Sequence, residues 1–507
     1  MPALKIEKLV YGGKGLARSE PDGKIYFVAG VLPGEEVEVH AVSMGKNFTE
    51  AQTVSVIKSS PARVHPPCPL HVIPTEMHRV FCGGCDFQHI KYPEQLRLKK
   101  EILMETIHRI AGIDSDGNMI DDVVPSPEEF RCRNKAIIPF APSDSGGGIK
   151  AGFYAERSHD IVEAADCLVQ KEVVFRIVDF VRSLAPCLGI GGYVTDDTRG
   201  RGKRRPRSRS VKDSGDGSLR HLSVRVNERG EALVIFVVNP TEGYPARYEK
   251  LCRALLENFK KDTQNKIVGV LVNENPACTN VIFNPHNKWR TLYGADYITE
   301  YLTLGVEELK LRVSKGGFFQ VNTSVAGKLY SAVQDMLFPS GFQSDKNFSP
   351  CVNLLDLYGG VGGFSIAFAL RKDIPLKDII CVEENETAVR DALVNAASYG
   401  IDNIVFYALP AEDFLSSKSV GKLKKDTFAV VDPPRSGLSE KAMEGLITKI
   451  SPRRFVYVSC DAATFARDMK KILSRGYMLE GKIRPFDMFP QTHHIETAAC
   501  FVKARRS

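Results

Sequence analysis

Residues 354–365 read LLDLYGGVGGFS, an apolar run that ends in an acid and passes into a glycine-rich turn. Glycines at such a turn let the backbone bend tightly and approach a ligand without a clashing Cβ. The spacing differs from the G-x-G-x-x-G pattern of dinucleotide-binding loops. The acid, Asp356, would repel a pyrophosphate but suits the sulfonium and amine of S-adenosylmethionine. The stretch therefore predicts a strand, a turn and a helix that bind this cofactor.

Strand and helix patterns alternate on both sides of this loop, which predicts an α/β domain with a doubly wound parallel sheet. The predicted strands are Val352–Leu357, Asp378–Val382, Ile404–Tyr407, Thr427–Val431 and Phe455–Val458. The predicted helices are Glu386–Tyr399, Glu440–Ile450 and Ala463–Leu473, and two antiparallel strands are expected within 481–502. Glu383 follows the second strand, where a carboxylate can accept hydrogen bonds from ribose hydroxyls.

Two further loops carry reactive groups at the same predicted edge of the sheet. Asp432-Pro433-Pro434-Arg435 follows the fourth strand and resembles the loop of amino-methyltransferases. Those enzymes usually place an aromatic residue after the prolines, so Arg435 argues against an amino group as acceptor. Cys460 follows the fifth strand at the start of a helix, where we expect the helix N-terminus to lower the thiol pKa.

A thiol, a methyl donor and a base form a chemically complete set. Uracil C5 is a poor nucleophile, but a thiolate that adds to C6 makes C5 enolate-like and able to attack a methyl sulfonium. A base must then remove the C5 proton. Cys460 can supply the thiolate, and the candidate bases are His493, His494 and Glu496. No third ligand at a sensible spacing supports a metal site on the two histidines.

Three regions precede or contain these loops. Residues 1–60 hold short β-rich runs between glycines and prolines, which predict a small five-stranded barrel of the oligonucleotide-binding type. That barrel could be structural or could bind RNA. Residues 61–312 predict a mixed α+β central domain, and residues 313–507 the cofactor-binding domain.

The net charge of +7 is concentrated in one segment. Eight basic residues lie within Arg199–Lys212, and without them the chain is close to neutral. Glycine, serine and proline interrupt this run, so a disordered loop is expected over 196–219. It could add phosphate contacts or be a solvated insertion. No run of about 18 apolar residues predicts a membrane span. No signal or transit peptide pattern is present, so we expect a cytoplasmic monomer.

Four of the twelve cysteines suggest a metal site. Cys82 and Cys85 form a C-x2-C pair, Cys68 precedes it, and Cys167 follows. Four thiolates can hold zinc or an iron–sulfur cluster, and spacing alone does not separate the two. The alternative is a set of buried free thiols.

Together these segments resemble the RNA uracil-5-methyltransferase family over most of the chain. The matching segments are LLDLYGGVGGFS, CVEENETAV, DPPRSGL, YVSCDAATFARD, DMFPQTHHIET and GGFFQVN. The resemblance implies that Cys460 is the nucleophile and Glu496 the proton acceptor. It also implies that the cofactor site is lined by Gln320, Tyr358, Gly363, Glu383 and Asp432. At the position of Gly363 relatives often have a polar side chain.

The resemblance extends to the N-terminal half of the chain. KIEKLVYGGKGLAR looks like the start of a TRAM domain, which implies RNA binding. The cysteine pattern implies a [4Fe–4S] cluster on Cys68, Cys82, Cys85 and Cys167, although the gap from Cys68 to Cys82 is longer than in relatives. FRCRNK resembles a segment near the RNA, which implies phosphate contacts from its basic residues. The implied substrate is large-subunit (23S) ribosomal RNA, with transfer RNA as the close alternative.

Two other classes of function compete with this hypothesis. An amino- or protein-methyltransferase could use the Asp-Pro-Pro loop without needing Cys460. An iron–sulfur RNA-binding factor would bind RNA and transfer no methyl group.

Deleting Arg199–Lys212 is expected to weaken RNA affinity and to flatten its dependence on salt. Each lost phosphate contact lowers the slope of log K against log[salt] by about 0.9 on a duplex and about 0.7 on a single strand. The measurement is a binding titration at several salt concentrations. Circular dichroism should show an unchanged fold, and an unchanged slope would contradict a role of this loop in RNA binding.

Overall fold

The computed structural model describes most of the chain between residues 3 and 504. The residues left out within that range are 21, 72–79, 115–117, 145, 147, 195–215, 278, 280, 285, 340–351, 375 and 424–426. The basic run Arg199–Lys212 lies outside the described residues. The loop predicted over 196–219 is wrong for its last residues, because Asp216 accepts hydrogen bonds from Gly191 N (3.1 Å) and Ser218 N (3.0 Å) and a strand begins at Leu219.

Five strands form a closed N-terminal barrel in the order β1-β2-β3-β5-β4, as the sequence predicts. Their bounds are β1 Ala3–Leu9, β2 Gly15–Arg18, β3 Ile25–Ala29, β4 Glu36–Met44 and β5 Phe48–Lys58. Inward side chains such as Leu4, Val28 and Val37 fill the interior, because successive residues of a strand point to opposite faces.

An ion pair and apolar contacts join the barrel to the segment that follows it. Arg63 donates from Nε to Glu35 Oε1 (2.7 Å) and from Nη2 to Glu35 Oε2 (2.6 Å), and the Glu35 side chain is fully buried. Leu9 and Leu32 of the barrel share an apolar core with Phe87 and Leu98. The β1–β2 loop is therefore held against the body of the protein.

The central region contains helix α1, Tyr92–Ala111, and a seven-stranded sheet in the order β12-β11-β10-β9-β6-β7-β8. The strands are β6 Lys135–Pro142, β7 Ile149–Tyr154, β8 Ile161–Glu163, β9 Leu219–Val226, β10 Glu231–Val238, β11 Lys266–Glu274 and β12 Lys288–Gly294. Helices α2, Glu172–Leu184, and α3, Tyr244–Phe259, bury apolar side chains in the same core as this sheet.

A β-hairpin leads into the last region. It consists of β13 Tyr297–Leu304 and β14 Glu307–Ser314, and α4 Thr323–Leu337 follows. The hairpin is hydrogen-bonded to a residue that comes later in the chain. Asp391 accepts hydrogen bonds from both Ser314 N and Ser314 Oγ (2.6 Å each). The expected domain boundary near residue 313 thus falls within a strand that contacts the last region.

The last region is the predicted α/β sheet, in the order β17-β16-β15-β18-β19-β21-β20. Its strands are β15 Val352–Leu357, β16 Leu376–Glu383, β17 Ile404–Ala408, β18 Thr427–Val431, β19 Arg454–Ser459, β20 Tyr477–Phe486 and β21 Glu496–Lys503. Its helices are α5 Gly363–Ala369, α6 Glu386–Ser398, α7 Ala411–Ser416, α8 Glu440–Glu444 and α9 Ala462–Ser474. The predicted helix 440–450 continues beyond α8 as a π-helical turn, Gly445–Ile450.

Both faces of this sheet are covered. Leu354 of β15 belongs to a core with α4, α5 and α6, whereas the next residue, Leu355, belongs to a core with α1, α8 and α9. Strands β15 to β19 are parallel, and β21 is antiparallel to both of its neighbours. The strand order reverses between β15 and β18, which is where ligands bind in such sheets.

A buried ion pair joins α1 to the segment between β20 and β21. Lys99 Nζ lies 2.5 Å from Asp487 Oδ1 and 3.1 Å from the Phe489 carbonyl oxygen, and neither charged side chain is exposed to solvent. Tyr92 Oη donates to Asp487 Oδ2 at 2.8 Å. Within the described residues, no helix is long and apolar enough to span a membrane.

Asp487→Ala is expected to lower the free energy of unfolding by about 3–5 kcal/mol, because it leaves the buried Lys99 ammonium without its carboxylate. The measurement is urea unfolding followed by circular dichroism. Asp122→Ala serves as the control, since Asp122 pairs with the neighbouring Lys100 but is almost fully exposed, and it should leave the midpoint unchanged. Equal midpoints for the two variants would contradict the role given to the buried pair.

Candidate active site

The predicted site residues of the last region come together at the carboxyl edge of the parallel strands. Tyr358 follows β15, Glu383 ends β16, Asp432 follows β18 and Cys460 follows β19. Glu496 begins β21, which pairs with β19. The structure thus gathers at one edge five groups that stand up to 138 positions apart in the sequence.

The glycine-rich loop turns sharply around a buried acid. Asp356 Oδ2 accepts hydrogen bonds from Ser365 N (3.1 Å) and Ser365 Oγ (2.6 Å). Its other oxygen, Oδ1, is buried and has no hydrogen-bond partner among the described residues. Burial raises the pKa of Asp356 to about 6. An acceptor left open in a buried site suits a ligand with a positive charge or a donor, such as S-adenosylmethionine.

Backbone conformation explains the glycines of this loop. Tyr358, Gly360 and Gly362 all have positive φ (65°, 54° and 80°), a region that glycine adopts without steric cost. A Cβ at Gly359 would lie 2.3 Å from Cys381 Sγ, so the loop passes directly over β16. A side chain at residue 359 would clash with β16, which explains the glycine at this position.

Glu383 holds the loop from the neighbouring strand. Its Oε2 accepts from Gly360 N (3.0 Å) and its Oε1 accepts from Asn385 N (2.8 Å). Burial raises the pKa of Glu383. Each carboxylate oxygen can accept a further hydrogen bond, so the predicted contact with ribose hydroxyls is compatible with this geometry.

The space beside Gly363 is filled by a tyrosine. A Cβ at Gly363 would lie 2.4 Å from the hydroxyl of Tyr330, whose ring stacks on Phe364 with centroids 4.0 Å apart. Tyr330 of α4 therefore occupies the space that a side chain at residue 363 would need, a contact that the sequence does not reveal because Tyr330 looks like a core residue.

Gln320 lies in the segment between β14 and α4 and is nearly buried. Its carbonyl oxygen accepts from Asn134 Nδ2 at 3.1 Å, which joins the central sheet to this segment. Asn322 caps α4 by accepting from Val325 N (3.3 Å) and donates to Ser126 Oγ (2.9 Å). These bonds fix the backbone of the GGFFQVN segment.

The two predicted catalytic groups adjoin the end of one strand pair. The β19–β21 ladder ends at the pair Ser459 and Thr497, and Cys460 and Glu496 are the residues next to that pair. The charge of Glu496 raises the pKa of Cys460, as expected for neighbouring groups.

Glu496 is almost completely buried, and its Oε1 has no hydrogen-bond partner among the described residues. Burial, reinforced by the charge of Asp432, raises the pKa of Glu496 well above its usual range, and Arg435 opposes this rise. Burial also raises the pKa of Asp432, with a further contribution from Asp356. The three carboxyls form an acidic pocket that would favour a cationic ligand.

The expectation that a helix N-terminus lowers the pKa of Cys460 is wrong for the protein without substrate. Burial, followed by the charges of Glu496 and Asp432, raises this pKa to about 12. The N-terminus of α9 is already capped by Asp461, whose Oδ1 accepts from Thr464 N at 2.8 Å. This carboxylate satisfies the helix donors and adds negative charge beside the thiol.

His493 is hydrogen-bonded to Asp86, and His494 beside it is partly buried. The imidazole of His493 is hydrogen-bonded to Asp86 Oδ2, and His493 N donates to Asp86 Oδ1 at 2.9 Å. Burial, with the charges of His493 and Arg435, lowers the pKa of His494 to about 4, so His494 is neutral at neutral pH. Asp86 directly follows Cys85 of the C-x2-C pair in the sequence. That position beside a motif is the sequence feature that could have pointed to the contact between Asp86 and His493.

The four predicted cysteine ligands line one cavity of about 70 Å³, together with Arg133 and apolar side chains. Burial raises the pKa of Cys82, Cys85 and Cys167 to about 11 each, and Arg133 opposes the rise at all three. Arg133 Nε is buried and has no hydrogen-bond partner among the described residues. A cationic side chain thus lies beside the four thiols and favours their ionised forms.

The arrangement of the described residues does not support the predicted iron–sulfur cluster. Across the described parts of the chain, no three Cys, His, Asp or Glu side chains form a group that could hold a metal ion. The four cysteines share a cavity, and a cluster on them stays a prediction.

The expected phosphate contacts of the FRCRNK segment are not supported. Arg131 forms a two-pronged ion pair with Asp166 (2.5 and 2.9 Å), and Arg133 faces the cysteine cavity. Lys135 Nζ donates to the Gly317 carbonyl oxygen (3.4 Å), and burial lowers its pKa to about 7. Arg133 and Lys135 are thus directed inward, whereas the Arg131–Asp166 pair is partly exposed to solvent.

Comparisons with known proteins agree with this architecture. The family described as tRNA (Uracil-5-)-methyltransferase matches residues 277–504. A protein of Halalkalibacterium halodurans named as an uncharacterized RNA methyltransferase is 32% identical over 499 residues, which cover 98% of this chain and 95% of that protein. A protein of Thermotoga maritima with the same kind of name is 31% identical over 505 residues, 99% of each chain.

One solved structure has the same fold over the full length. It is the crystal structure of Pyrococcus abyssi tRNA (uracil-54, C5)-methyltransferase in complex with S-adenosyl-L-homocysteine. The TM-score is 0.68 at 24% identity, over 98% of this chain and 99% of the other. This chain therefore belongs to the RNA uracil-5-methyltransferase family and is an S-adenosylmethionine-dependent RNA methyltransferase.

Proposed function

We propose that the protein methylates carbon 5 of a specific uridine through a covalent bond between Cys460 and C6 of the uracil. The observation that supports this proposal is that Cys460 and Glu496 adjoin the last pair of the β19–β21 ladder, Ser459 and Thr497, at the edge where the glycine-rich loop lies. Tyr358, Gly363, Glu383, Asp432 and Gln320 would hold S-adenosylmethionine, in the surroundings described above.

The reaction uses the two opposed groups in sequence. The Cys460 thiolate adds to C6, and the electron pair of the C5–C6 bond moves toward C4 and O4. S-Adenosylmethionine, when bound, supplies the methyl group and a positive charge that favours ionised carboxyls. The Glu496 carboxylate then takes the proton from C5, the C5–C6 double bond re-forms, and the Cys460–C6 bond breaks. The uridine exchanges one C5 proton for one methyl group.

Charges in the site affect the pKa of both reacting groups, Cys460 and Glu496. Burial raises the pKa of both Cys460 and Glu496, and the charge of Arg435 lowers both. Both groups act in their ionised forms, so a cation bound beside them would favour the reaction.

Ribosomal RNA is the substrate that we propose first, because the barrel and the cysteine site resemble those of the larger, TRAM-bearing family members. Transfer RNA is the second candidate, since the family description and the name of the Pyrococcus abyssi protein both specify it. We also propose that residues 1–60 are a TRAM domain that binds RNA, and that the catalytic domain begins with the β13–β14 hairpin rather than at residue 313.

Adduct trapping tests the mechanism. Full-length protein, cofactor and 5-fluorouridine-substituted ribosomal or transfer RNA are mixed and separated on a denaturing gel. Fluorine cannot leave as a proton does, so a covalent complex should accumulate with the correct RNA and be absent in Cys460→Ala. Glu496→Gln should lower turnover by about 10²- to 10⁴-fold and should accumulate an adduct even with ordinary RNA.

Cys187→Ser is the control for this experiment, because Cys187 is an exposed thiol in a short 3-10 turn away from the site. It should trap RNA like the unchanged protein. Methyl transfer without any covalent band would sink the thiolate mechanism and favour the amino-methyltransferase alternative.

We further propose that Cys68, Cys82, Cys85 and Cys167 hold a [4Fe–4S] cluster. The cluster would lie in the cysteine cavity beside Arg133, whose charge favours thiolates. Arg133 would also offset part of the negative charge of four thiolate ligands. The cluster has no part in the reaction proposed above.

Anaerobically purified protein is expected to contain about four iron and four sulfide per chain and to absorb in the visible range. Cys82→Ser and Cys167→Ser should lose most of the iron, whereas Cys132→Ser should retain it because Cys132 does not line the cavity. Stoichiometric zinc in place of iron would contradict the cluster assignment.

A further inference from the structure

The N-terminal barrel reaches the nucleophile. In the loop between β1 and β2, Tyr11 Oη donates to Asp461 Oδ2 at 2.5 Å, across 450 positions of sequence. Asp461 immediately follows Cys460. A residue of the barrel thus contacts the loop that carries the proposed nucleophile.

The position of this loop is set by close packing. A Cβ at Gly13 would lie 2.8 Å from Asp86 Oδ2 and 2.9 Å from His493 Cβ, so only glycine allows this approach. Glu50 of the barrel also pairs with Arg157 of the central region at 2.8 Å. The close approach at Gly13, two residues after Tyr11, limits where the β1–β2 loop can lie, and the Glu50–Arg157 pair adds a second contact between the barrel and the central region.

Asp461 forms several hydrogen bonds within and beyond the loop that carries Cys460. Its Oδ1 caps α9 and its Oδ2 accepts from Tyr11. Its backbone N donates to Ser459 Oγ (3.3 Å), and Ser459 Oγ donates to its carbonyl oxygen (3.1 Å). Cys460 is therefore enclosed between two residues that are bonded to each other, and Tyr11 provides the anchor from outside the catalytic domain.

We propose that Tyr11 is a positioning residue for Cys460, which makes the barrel a part of the active site and not only an RNA-binding attachment. This inference rests on the proposed role of Cys460. The Tyr11 hydroxyl holds Asp461 in the orientation that caps α9 and offsets part of its negative charge.

The electrostatic consequence has a definite sign. The groups that face Cys460 are Glu496 of β21, Asp432 and Arg435 of the β18–α8 loop, and Asp461 of its own loop. Three of these are acids, and each raises the thiol pKa. Removing the hydroxyl that donates to Asp461 leaves that carboxylate less compensated, so the thiolate becomes harder to form.

The test is alkylation of Cys460 by iodoacetamide, followed by peptide mass spectrometry over a range of pH in the full-length protein without RNA. Tyr11→Phe keeps the ring and removes the hydroxyl. A rise of half a unit to one unit in the thiol pKa would slow alkylation about three- to tenfold below that pKa. With RNA, kcat should fall in the same proportion while KM for RNA stays unchanged.

Two comparisons separate positioning from a general structural effect. Tyr26→Phe removes a hydroxyl elsewhere in the same barrel and should alkylate at the unchanged rate. The exposed Cys187 is an internal reference, whose alkylation should be equal in all variants.

An unchanged Cys460 alkylation profile in Tyr11→Phe would overturn the proposal. So would a rise in KM for RNA, in Tyr11→Ala, with no loss of kcat, because the ring would then act as an RNA contact. Alkylation does not depend on methyl transfer, so this result is independent of adduct trapping. A failure of Cys460→Ala to abolish the trapped band would refute the mechanism and not the Tyr11 contact.

Discussion

A lysine and an aspartate with no solvent exposure hold the segment that leads to Glu496, the carboxyl that we propose as the base. Lys99 and Asp487 lose their hydration on burial, so the pair is tolerable only where each charge has well-placed partners. The Phe489 carbonyl and the Tyr92 hydroxyl supply those partners. Moving this segment would separate Lys99 from Asp487 and leave both buried charges unpaired. The ion pair therefore holds the segment that leads into β21 in place. Glu496 begins the strand at the end of that segment.

Residues from several parts of the fold contribute to the site, and each part contributes a different group. The parallel sheet presents the cofactor loop and the thiol, the antiparallel β21 brings the carboxyl, and the cysteine segment supports the histidine pair through Asp86. The barrel contributes a hydroxyl from the opposite end of the sequence. Asp356, Asp432 and Glu496 are all buried, and their charges would favour a cationic ligand at this edge of the sheet.

The α/β domain could be predicted closely because its central strands are buried on both faces. Such strands are continuous apolar runs, and β15 and β18 have the bounds that the pattern indicates. Tyr330, Lys99 and Tyr11 could not be found in this way, because their importance comes from contacts between distant segments. The thiol pKa was mispredicted for a related reason. A helix N-terminus is visible in the sequence, whereas the neighbouring carboxyls that outweigh it are visible only in the fold.

The strand order β19-β21-β20 has a consequence for the chain during its synthesis. Strand β21 enters between two strands that precede it in the sequence. A nascent chain that has emerged through β20 already carries the glycine-rich loop and the thiol. It still lacks the strand that carries the acid and that joins β20 to the sheet. The residues gathered at this edge of the sheet are therefore all present only after β21 has been synthesised and has inserted between β19 and β20.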